Sequence, residues 1–451
     1  MISSEVVQEV RRRIDAVEII GAKVELRKSG TSYVGACPFH AEKKASFRVY
    51  PDGKRFMCFG CGARGDVFEF LTRLEGKPFP VVVRDVAARV GVIVPRPEES
   101  PEEMRARGAR VILFAACAAA ATHWQRHLWS DEGEAARRYL AARGVSEEVA
   151  RAYRLGYALP KWHDLERALG ARMQRTALHG AGLLATREDA GGAPRFFDRF
   201  RDRIIFPIED ARGRIVGFGG RAIAAETEPK YLNGPETRLY KKAGVLYGLS
   251  RARETIRRTR RAILVEGYFD VLVLHQAGFL GTVGCGGTTL TREQVELLGA
   301  SGCRELVLLF DGDEAGARAP AVAAHVLLQA ELSTLVARIP ATGCGGSDPD
   351  TFVLRAGKAS LEEVLAAARP LTEHLIDDAI RRHAEGVGPS APVEHKLRAL
   401  EDLTPIILAA PEGLARSTFE RAVARRLDID IGPLRAEVQR AASVAGEGIG
   451  T

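Results

Sequence analysis

Asp311 and Asp313 stand one residue apart in Glu305-Leu-Val-Leu-Leu-Phe310-Asp311-Gly-Asp313-Glu-Ala-Gly316. Acids at i and i+2 of an extended chain project to the same side. Their mutual repulsion calls for a cation, and hard oxygen ligands suit magnesium or manganese. Glu266 has a similar setting, since it ends the apolar run in Arg261-Ala-Ile-Leu-Val-Glu266-Gly-Tyr-Phe-Asp270 and is followed by glycine. Asp348-Pro-Asp350 supplies a further acid pair. Asp311 and Asp313, with Glu266 as a third carboxylate, could hold a divalent metal. The same spacing also fits a strand-to-helix turn with Asp313 as helix cap, and Asp-Pro-Asp on a loop is by itself most often a turn.

A second cluster has different chemistry. Cys37-Pro-Phe-His40 is followed, after 17 residues, by Cys58-Phe-Gly-Cys61. Two such knuckles around a hairpin-length insert make a closed tetrahedral zinc site, with no open position for catalysis. The insert reads as strand, turn and returning strand: Ser46 to Tyr50, Pro51-Asp-Gly53, Lys54 to Cys58. Lys43, Lys44, Arg48, Lys54, Arg55 and Arg64 lie among Phe47, Tyr50, Phe56 and Phe59. Cations beside aromatics suit a single-stranded nucleic acid, although Phe47 and Phe56 read better as the core of a small ribbon.

The elements that must position the acids follow from periodicity. Glu305 to Phe310 is apolar without alternation, as in a parallel strand buried on both faces. Strands and helices alternate from Arg261 to Ile339. That predicts a small parallel sheet with Glu266, Asp311 and Asp313 beyond the strand ends, where open α/β sheets bind ligands. Before it comes a basic stretch, residues 195–261, with 17 Lys/Arg against 8 Asp/Glu. It includes Arg199, Arg201, Arg203, Arg221, Lys230 and Lys242, and glycines at 217, 219 and 220 that would let backbone approach a phosphate. No Gly-x-x-x-x-Gly-Lys-[Ser/Thr] loop occurs in the sequence, which excludes a motor of that kind. The chain is helical from about Met104, and again from about Leu361.

The bounds are consistent with this reading. A chain of 451 residues with formal charge +7 should hold about two to four domains and favour a polyanionic partner. The longest wholly apolar run, Val111 to Ala121, is too short to span a bilayer. Seven cysteines, three of them clustered with a histidine, favour a reducing compartment over a disulfide framework. A cytoplasmic protein with no membrane segment is expected.

These motifs resemble those of the bacterial DnaG-type primase family. Cys37-Pro-Phe-His40 with Cys58-Phe-Gly-Cys61 looks like its CHC2 zinc ribbon. Glu266-Gly-Tyr-Phe-Asp270 and Phe310-Asp-Gly-Asp-Glu-Ala-Gly316 look like the paired motifs of a Toprim catalytic domain, and by resemblance Asp348 and Asp350 join that site. Arg199-Phe-Arg-Asp-Arg203, Gly217 to Arg221 and Lys230 to Thr237 are similar to the family's basic segment. Arg143, Arg221, Lys230 and Lys242 match basic positions used near template or nucleotide. Lys44-Ala45 departs from the family's usual Thr-Pro, and Thr351 from its usual acid.

The resemblance implies a multidomain α+β and α/β protein. A CHC2 zinc-ribbon domain (1–94) and a linker (95–103) would be followed by a mixed α/β basic subdomain (104–258) and a Toprim parallel-sheet subdomain (259–345). An acidic loop with a helical C-terminal segment (346–442) and a disordered tail (443–451) would follow. The usual helicase-binding domain would be absent, which puts docking on the replicative helicase in doubt. The implied activity is RNA primer synthesis on single-stranded DNA from ribonucleoside triphosphates, at the replication fork in the nucleoid, by a monomer. One structural Zn2+ and catalytic Mg2+ or Mn2+ would be bound. Asp311 and Asp313, with Asp348 or Asp350, would hold the catalytic metals, and Glu266 would be a ligand or a proton acceptor. A Toprim nuclease or topoisomerase, or a non-catalytic DNA-binding adaptor, are the rival readings.

Overall fold

The computed structural model describes residues 2, 4–40, 45–92, 101–188, 192, 194–224, 226–287, 289–310, 314–330, 332–340, 348–383 and 392–447. The chain divides into two compact units, Met1–Ala106 and Arg107–Thr451.

In the first unit, α1 (Ser4–Arg13) and α2 (Ala16–Gly21) precede five antiparallel strands: β1 (Arg27–Ser29), β2 (Ser32–Gly35), β3 (Phe47–Tyr50), β4 (Arg55–Cys58) and β5 (Arg64–Asp66). Two helices close the unit, α3 (Val67–Glu75), with Asp66 as its cap, and α4 (Phe79–Arg89). The predicted hairpin is β3–β4, paired Phe47 with Cys58 and Tyr50 with Arg55. Phe47 and Phe56 are buried as expected, stacked with centroids 5.3 Å apart, and Phe39 and Phe70 pack on both. Phe59 is 61% exposed. Lys43 and Lys44 lie outside the described residues.

The division after Ala106 falls within α5 (Pro101–Leu128), so residues 101–103 of the expected linker are helical. Then come α6 (Glu134–Ala142), α7 (Glu147–Ala152), β6 (Gly156–Ala158), α8 (Asp164–Gly170) and α9 (Arg175–Gly180). A hairpin of β7 (Leu184–Glu188) and β8 (Pro194–Asp198) leads to β9 (Arg203–Glu209), β10 (Ile215–Ala222) and β11 (Tyr231–Asn233). These last three form an antiparallel sheet with β6, in the order β11-β10-β9-β6. The stretch from Arg195 to Ile208 is therefore two strands in two sheets, broken at 199–202.

After α10 (Leu249–Thr259) the chain alternates as predicted. The elements are β12 (Arg261–Val265), α11 (Tyr268–Gln276), β13 (Thr282–Gly284), α12 (Arg292–Ala300), β14 (Glu305–Leu309), α13 (Glu314–Leu327) and β15 (Ser333–Ala337). Helix α14 (Pro349–Ala366) precedes a two-residue edge strand, β16 (Arg369–Pro370). The sheet order is β13-β12-β14-β15-β16, parallel except for β16. On β14, Leu306 and Leu308 enter one apolar core while Val307 and Leu309 enter the other. Burial on both faces is why this strand shows no alternation.

Helices α15 (Leu371–His383), α16 (Val393–Ala409), α17 (Leu414–Leu427) and α18 (Ile431–Glu447) complete the chain. Two expectations need correction. Asp348-Pro349-Asp350 is not a loop but the start of α14: Asp348 is the cap, and Pro349 takes the first turn, where a missing N–H costs nothing. The tail expected to be disordered from residue 443 is helical through Glu447. None of the helices is long and apolar enough to cross a membrane, among the described residues.

Candidate active site and zinc centre

In the first unit, Cys37, His40, Cys58 and Cys61 offer ligand atoms that all lie within 4.8 Å of one another. Cys37 Sγ is 3.8 Å from Cys61 Sγ, and Cys58 Sγ is 3.9 Å from His40 Nδ1. Four ligands at about 2.3 Å from a tetrahedral ion stand about 3.8 Å apart. The four groups thus form a closed structural zinc site. The knuckle backbones support the thiolates: Gly60 and Cys61 N–H donate to Cys58 Sγ at 3.3 and 3.4 Å, and Phe39 N–H to Cys37 Sγ at 3.5 Å. Burial pushes the Cys58 thiol up, but the Ser46 hydroxyl and the Cys61 and Gly60 amides outweigh it and pull the thiol down to about 6. A Cβ at Gly60 would come within 2.6 Å of His40 Nε2, so glycine there lets the imidazole reach the metal.

In the second unit, β12 stops at Val265 and α11 starts at Tyr268, so Glu266 and Gly267 form the turn beyond a strand end. The loop after β13 folds back over that turn: Gly286 and Gly287, both at positive φ, donate N–H to Glu266 O at 3.1 and 3.2 Å. Asp270, in the first turn of α11, accepts from Gly267 N–H at 3.0 Å and from Asp350 N–H at 3.2 Å. Burial foremost, and then the neighbouring Asp350, push the Asp270 carboxyl up to about 7. A low-dielectric site with two close acids favours a proton, or a metal in its place.

Asp350 is almost wholly enclosed, its side chain 3% exposed. Arg143 Nη2 donates to its Oδ2 at 2.6 Å, while Thr351 N–H and hydroxyl donate to its Oδ1 at 2.6 and 3.1 Å. Arg143 comes from the end of α6 and lies over the Phe269 ring at 4.8 Å. Gln276, at the end of α11, grips that turn by donating to Gly144 O and accepting from Ser146 N–H, both at 2.9 Å. Arg221, on β10, lies over Tyr231 at 4.6 Å.

Arg143, Arg221, Lys230, Glu266, Asp270, Asp348 and Asp350 all line one cleft of about 440 Å³. The cleft thus brings four carboxylates and three cations together, the combination expected for a metal-bound triphosphate. Asp311 and Asp313 lie outside the described residues, between Phe310 and the start of α13.

Other expected residues are elsewhere or differently occupied. Arg203 is 4% exposed and donates to Pro229 O at 2.7 Å, holding the approach to β11. Arg201 stacks on Trp162 at 4.0 Å and donates to Asp198 O. These contacts use Nη1 of each guanidinium, and neither arginine lines the cleft. Arg199 and Lys242 do not line the cleft. The β10 glycines also differ from expectation, since they make room for aromatic rings of the protein. A Cβ would meet Tyr240 from Gly217 at 3.0 Å, Tyr268 from Gly219 at 2.6 Å and Phe200 from Gly220 at 2.8 Å.

Sequence reasoning did not single out Asp270 or the chain Tyr268–Asn233–Gly286. Tyr268 Oη donates to Asn233 Oδ1 at 2.6 Å, and Asn233 Nδ2 donates to Gly286 O at 3.3 Å. The spacing of Asp270 from Glu266, four residues across a strand-to-helix turn, was the available signal.

Three family models match the chain: a CHC2 zinc finger over residues 2–102, the N-terminal domain of the DNA primase catalytic core over 123–253, and a Toprim-like domain over 263–353. A DNA primase of Myxococcus xanthus is 41% identical over 93% of the chain. The solved zinc-binding and RNA polymerase domains of the Aquifex aeolicus primase are 30% identical, with TM-score 0.59, over 96% of this chain and 99% of that one. The chain belongs to the DnaG-type DNA primase family. Another member of known structure, a DnaG primase catalytic domain bound to single-stranded DNA, is 32% identical with TM-score 0.62, over 72% of this chain and 99% of its own. The chain spans 66%, 58% and 55% of the lengths of three curated DNA primases it matches, the Myxococcus one included. In this family setting the CHC2 ribbon carries structural zinc and the Toprim-like domain takes a catalytic divalent metal.

Proposed function

We propose that the protein synthesises RNA primers on single-stranded DNA for replication, by metal-dependent nucleotidyl transfer. The observation that carries this is the cleft lined by Glu266, Asp270, Asp348 and Asp350 together with Arg143, Arg221 and Lys230, on a chain of the primase family. Bound divalent ions would acidify the attacking 3′-hydroxyl and offset charge on the α-phosphate and the leaving pyrophosphate. Asp311, Asp313 and Asp348 would hold them, with Glu266 as a further ligand or as acceptor of the hydroxyl proton. Asp350, already engaged by Arg143 and Thr351, would act chiefly by fixing Arg143 and the start of α14. Lys230 and Arg221 would bind triphosphate or template.

The zinc ribbon would guide the template, helped by exposed Phe59 and nearby cations. The functional divisions would follow 1–94 for the ribbon, 104–258 for the basic subdomain, 259–345 for the Toprim subdomain and 346–442 for the helical remainder. The relative solved with single-stranded DNA supports a DNA template. Ribonucleoside triphosphates as substrates, a cytoplasmic setting at the nucleoid and a monomer belong to the same reading.

The test is to incubate the protein with single-stranded DNA, the four ribonucleoside triphosphates and magnesium or manganese, and to size both strands. Short RNA products with the template intact support the proposal. Shortened template without need of ribonucleotides would mean a Toprim nuclease instead.

A further inference from the structure

Among the described residues outside the cleft and the ribbon, one side-chain cluster has metal-ligand geometry. His123 and His127 lie four residues apart on α5, so they share one face of the helix. Asp164, the first residue of α8, reaches between them. Its Oδ2 is 2.7 Å from His123 Nε2 and 3.0 Å from His127 Nε2, and the two Nε2 atoms are 3.1 Å from each other. The rings stand nearly perpendicular, at 86°. None of the three residues lines the acidic cleft.

Hydrogen bonding alone satisfies this triangle poorly. If both Nε2 atoms carry protons, two N–H groups point at one oxygen and oppose each other's hydrogens. If only one does, a single hydrogen serves two acceptors and the other nitrogen's lone pair is left facing a carboxylate. A cation removes the conflict, because three lone pairs converge on it. Ligands at about 2.0–2.1 Å from a tetrahedral ion stand about 3.3 Å apart, slightly wider than the edges seen here.

The frame around the cluster is fixed. Asp198, buried, accepts from Leu165 N–H at 2.7 Å and Glu166 N–H at 3.0 Å, which anchors the start of α8 against β8. His123 is buried, while the His127 and Asp164 side chains are each 19% exposed, which leaves an opening for a water as fourth ligand.

We infer that His123, His127 and Asp164 form a second metal site, taking a divalent transition ion such as zinc and tying α5 to α8. Two imidazoles and one carboxylate suit borderline ions rather than magnesium. Affinity is expected to be lower than at the ribbon. A ligating imidazole is usually fixed by a hydrogen bond to its other nitrogen, worth about 10–100-fold in affinity, and His123 Nδ1 has no such partner among the described residues.

The test is cobalt titration of the metal-stripped full chain in a large excess of magnesium, which keeps the catalytic carboxylates filled, with total bound cobalt and the thiolate charge-transfer band followed together. The band reports only the cysteine site. It should saturate at one equivalent while cobalt binding continues to two. His127→Gln and Asp164→Asn should each lose the second equivalent and keep the thiolate band unchanged. Saturation of both signals at one equivalent in the parent would overturn the inference without recourse to a variant. So would a second equivalent that folded His127→Gln and Asp164→Asn retain with the parent's affinity.

Discussion

Arg143→Ala isolates the electrostatic joint of the cleft. The guanidinium is the cation bound to Asp350, a carboxylate whose side chain is 3% exposed. Removing one partner of a buried pair costs about 3–5 kcal/mol, because the other charge stays behind uncompensated. Arg143 is itself 34% exposed, so water can partly replace it and the lower figure of about 2–3 kcal/mol is expected. Asp270 lies beside Asp350 and is already pushed up to about 7 by burial and by that neighbour. Without the arginine it should take a proton more readily. The folded variant then holds this proton at pH values above 7 where the folded parent has lost it, so its deficit shrinks as pH falls toward 7 and levels off below that. Magnesium should shrink it too, by occupying the same field.

The assay is urea unfolding of parent, Arg143→Ala and Arg143→Lys at pH 7.5 and 5.0, with and without magnesium. Arg143→Lys should fall between the other two, because it keeps the charge but loses the fork. A deficit within about 0.5 kcal/mol for Arg143→Ala at pH 7.5, or one unchanged by both pH and magnesium, would refute the reasoning.

Further outcomes follow from other parts of the molecule. Gly219→Ala brings a Cβ to within 2.6 Å of the buried Tyr268 ring, and overpacking of that kind costs about 1–3 kcal/mol; urea midpoints measure it, with incorporation lowered in parallel as the Tyr268–Asn233–Gly286 chain shifts. Gly60→Ala should displace His40 and weaken zinc retention at the ribbon, read as faster release to a chelator, with the unfolding of the Arg107–Thr451 unit unchanged. Burial holds His275 down to about 4, where it meets the Tyr153 hydroxyl at 2.6 Å and Thr282 O at 2.8 Å. The unfolded chain therefore binds the extra proton between pH 6.5 and 4, so this contribution is complete above pH 6.5 and is lost on acidification. It amounts to about 2 kcal/mol by pH 5; replacing His275 by Asn should flatten that part of the stability profile, measured by urea unfolding across the range.

The parts legible in the sequence were those with local signatures. The zinc ligands are set by two short knuckles and a hairpin, so spacing alone brought Cys37, His40, Cys58 and Cys61 together. Glu266 was legible because a strand burying both faces has to end in polar residues. Arg143 is far from the acids in sequence and was identified only by resemblance; its contact with Asp350 arises from the packing of α6 and α14 on α11. Long-range packing also reversed the reading of the β10 glycines, where ring positions rather than ligand approach decide. The arginines at 201 and 203 show the same limit. Their charge suggested phosphate, and nothing in the sequence signals that Nη1 of each holds a backbone carbonyl or that Arg201 stacks on Trp162. His123 and His127 carried a readable helical spacing, but Asp164, 37 residues beyond His127, gave it meaning.

The central claim is that the carboxylates around Glu266 hold the metals of a template-directed RNA polymerase site. The direct measurement is labelled ribonucleotide incorporation on single-stranded DNA as manganese is titrated, comparing the parent with Glu266→Gln and Asp311→Ala. The account predicts template-dependent, saturable manganese activation in the parent. It predicts loss of at least about 100-fold in both variants, in line with the several kcal/mol that metal ions supply, with zinc content unchanged. Wild-type incorporation by Asp311→Ala or Glu266→Gln, at the parent's manganese midpoint, would contradict it.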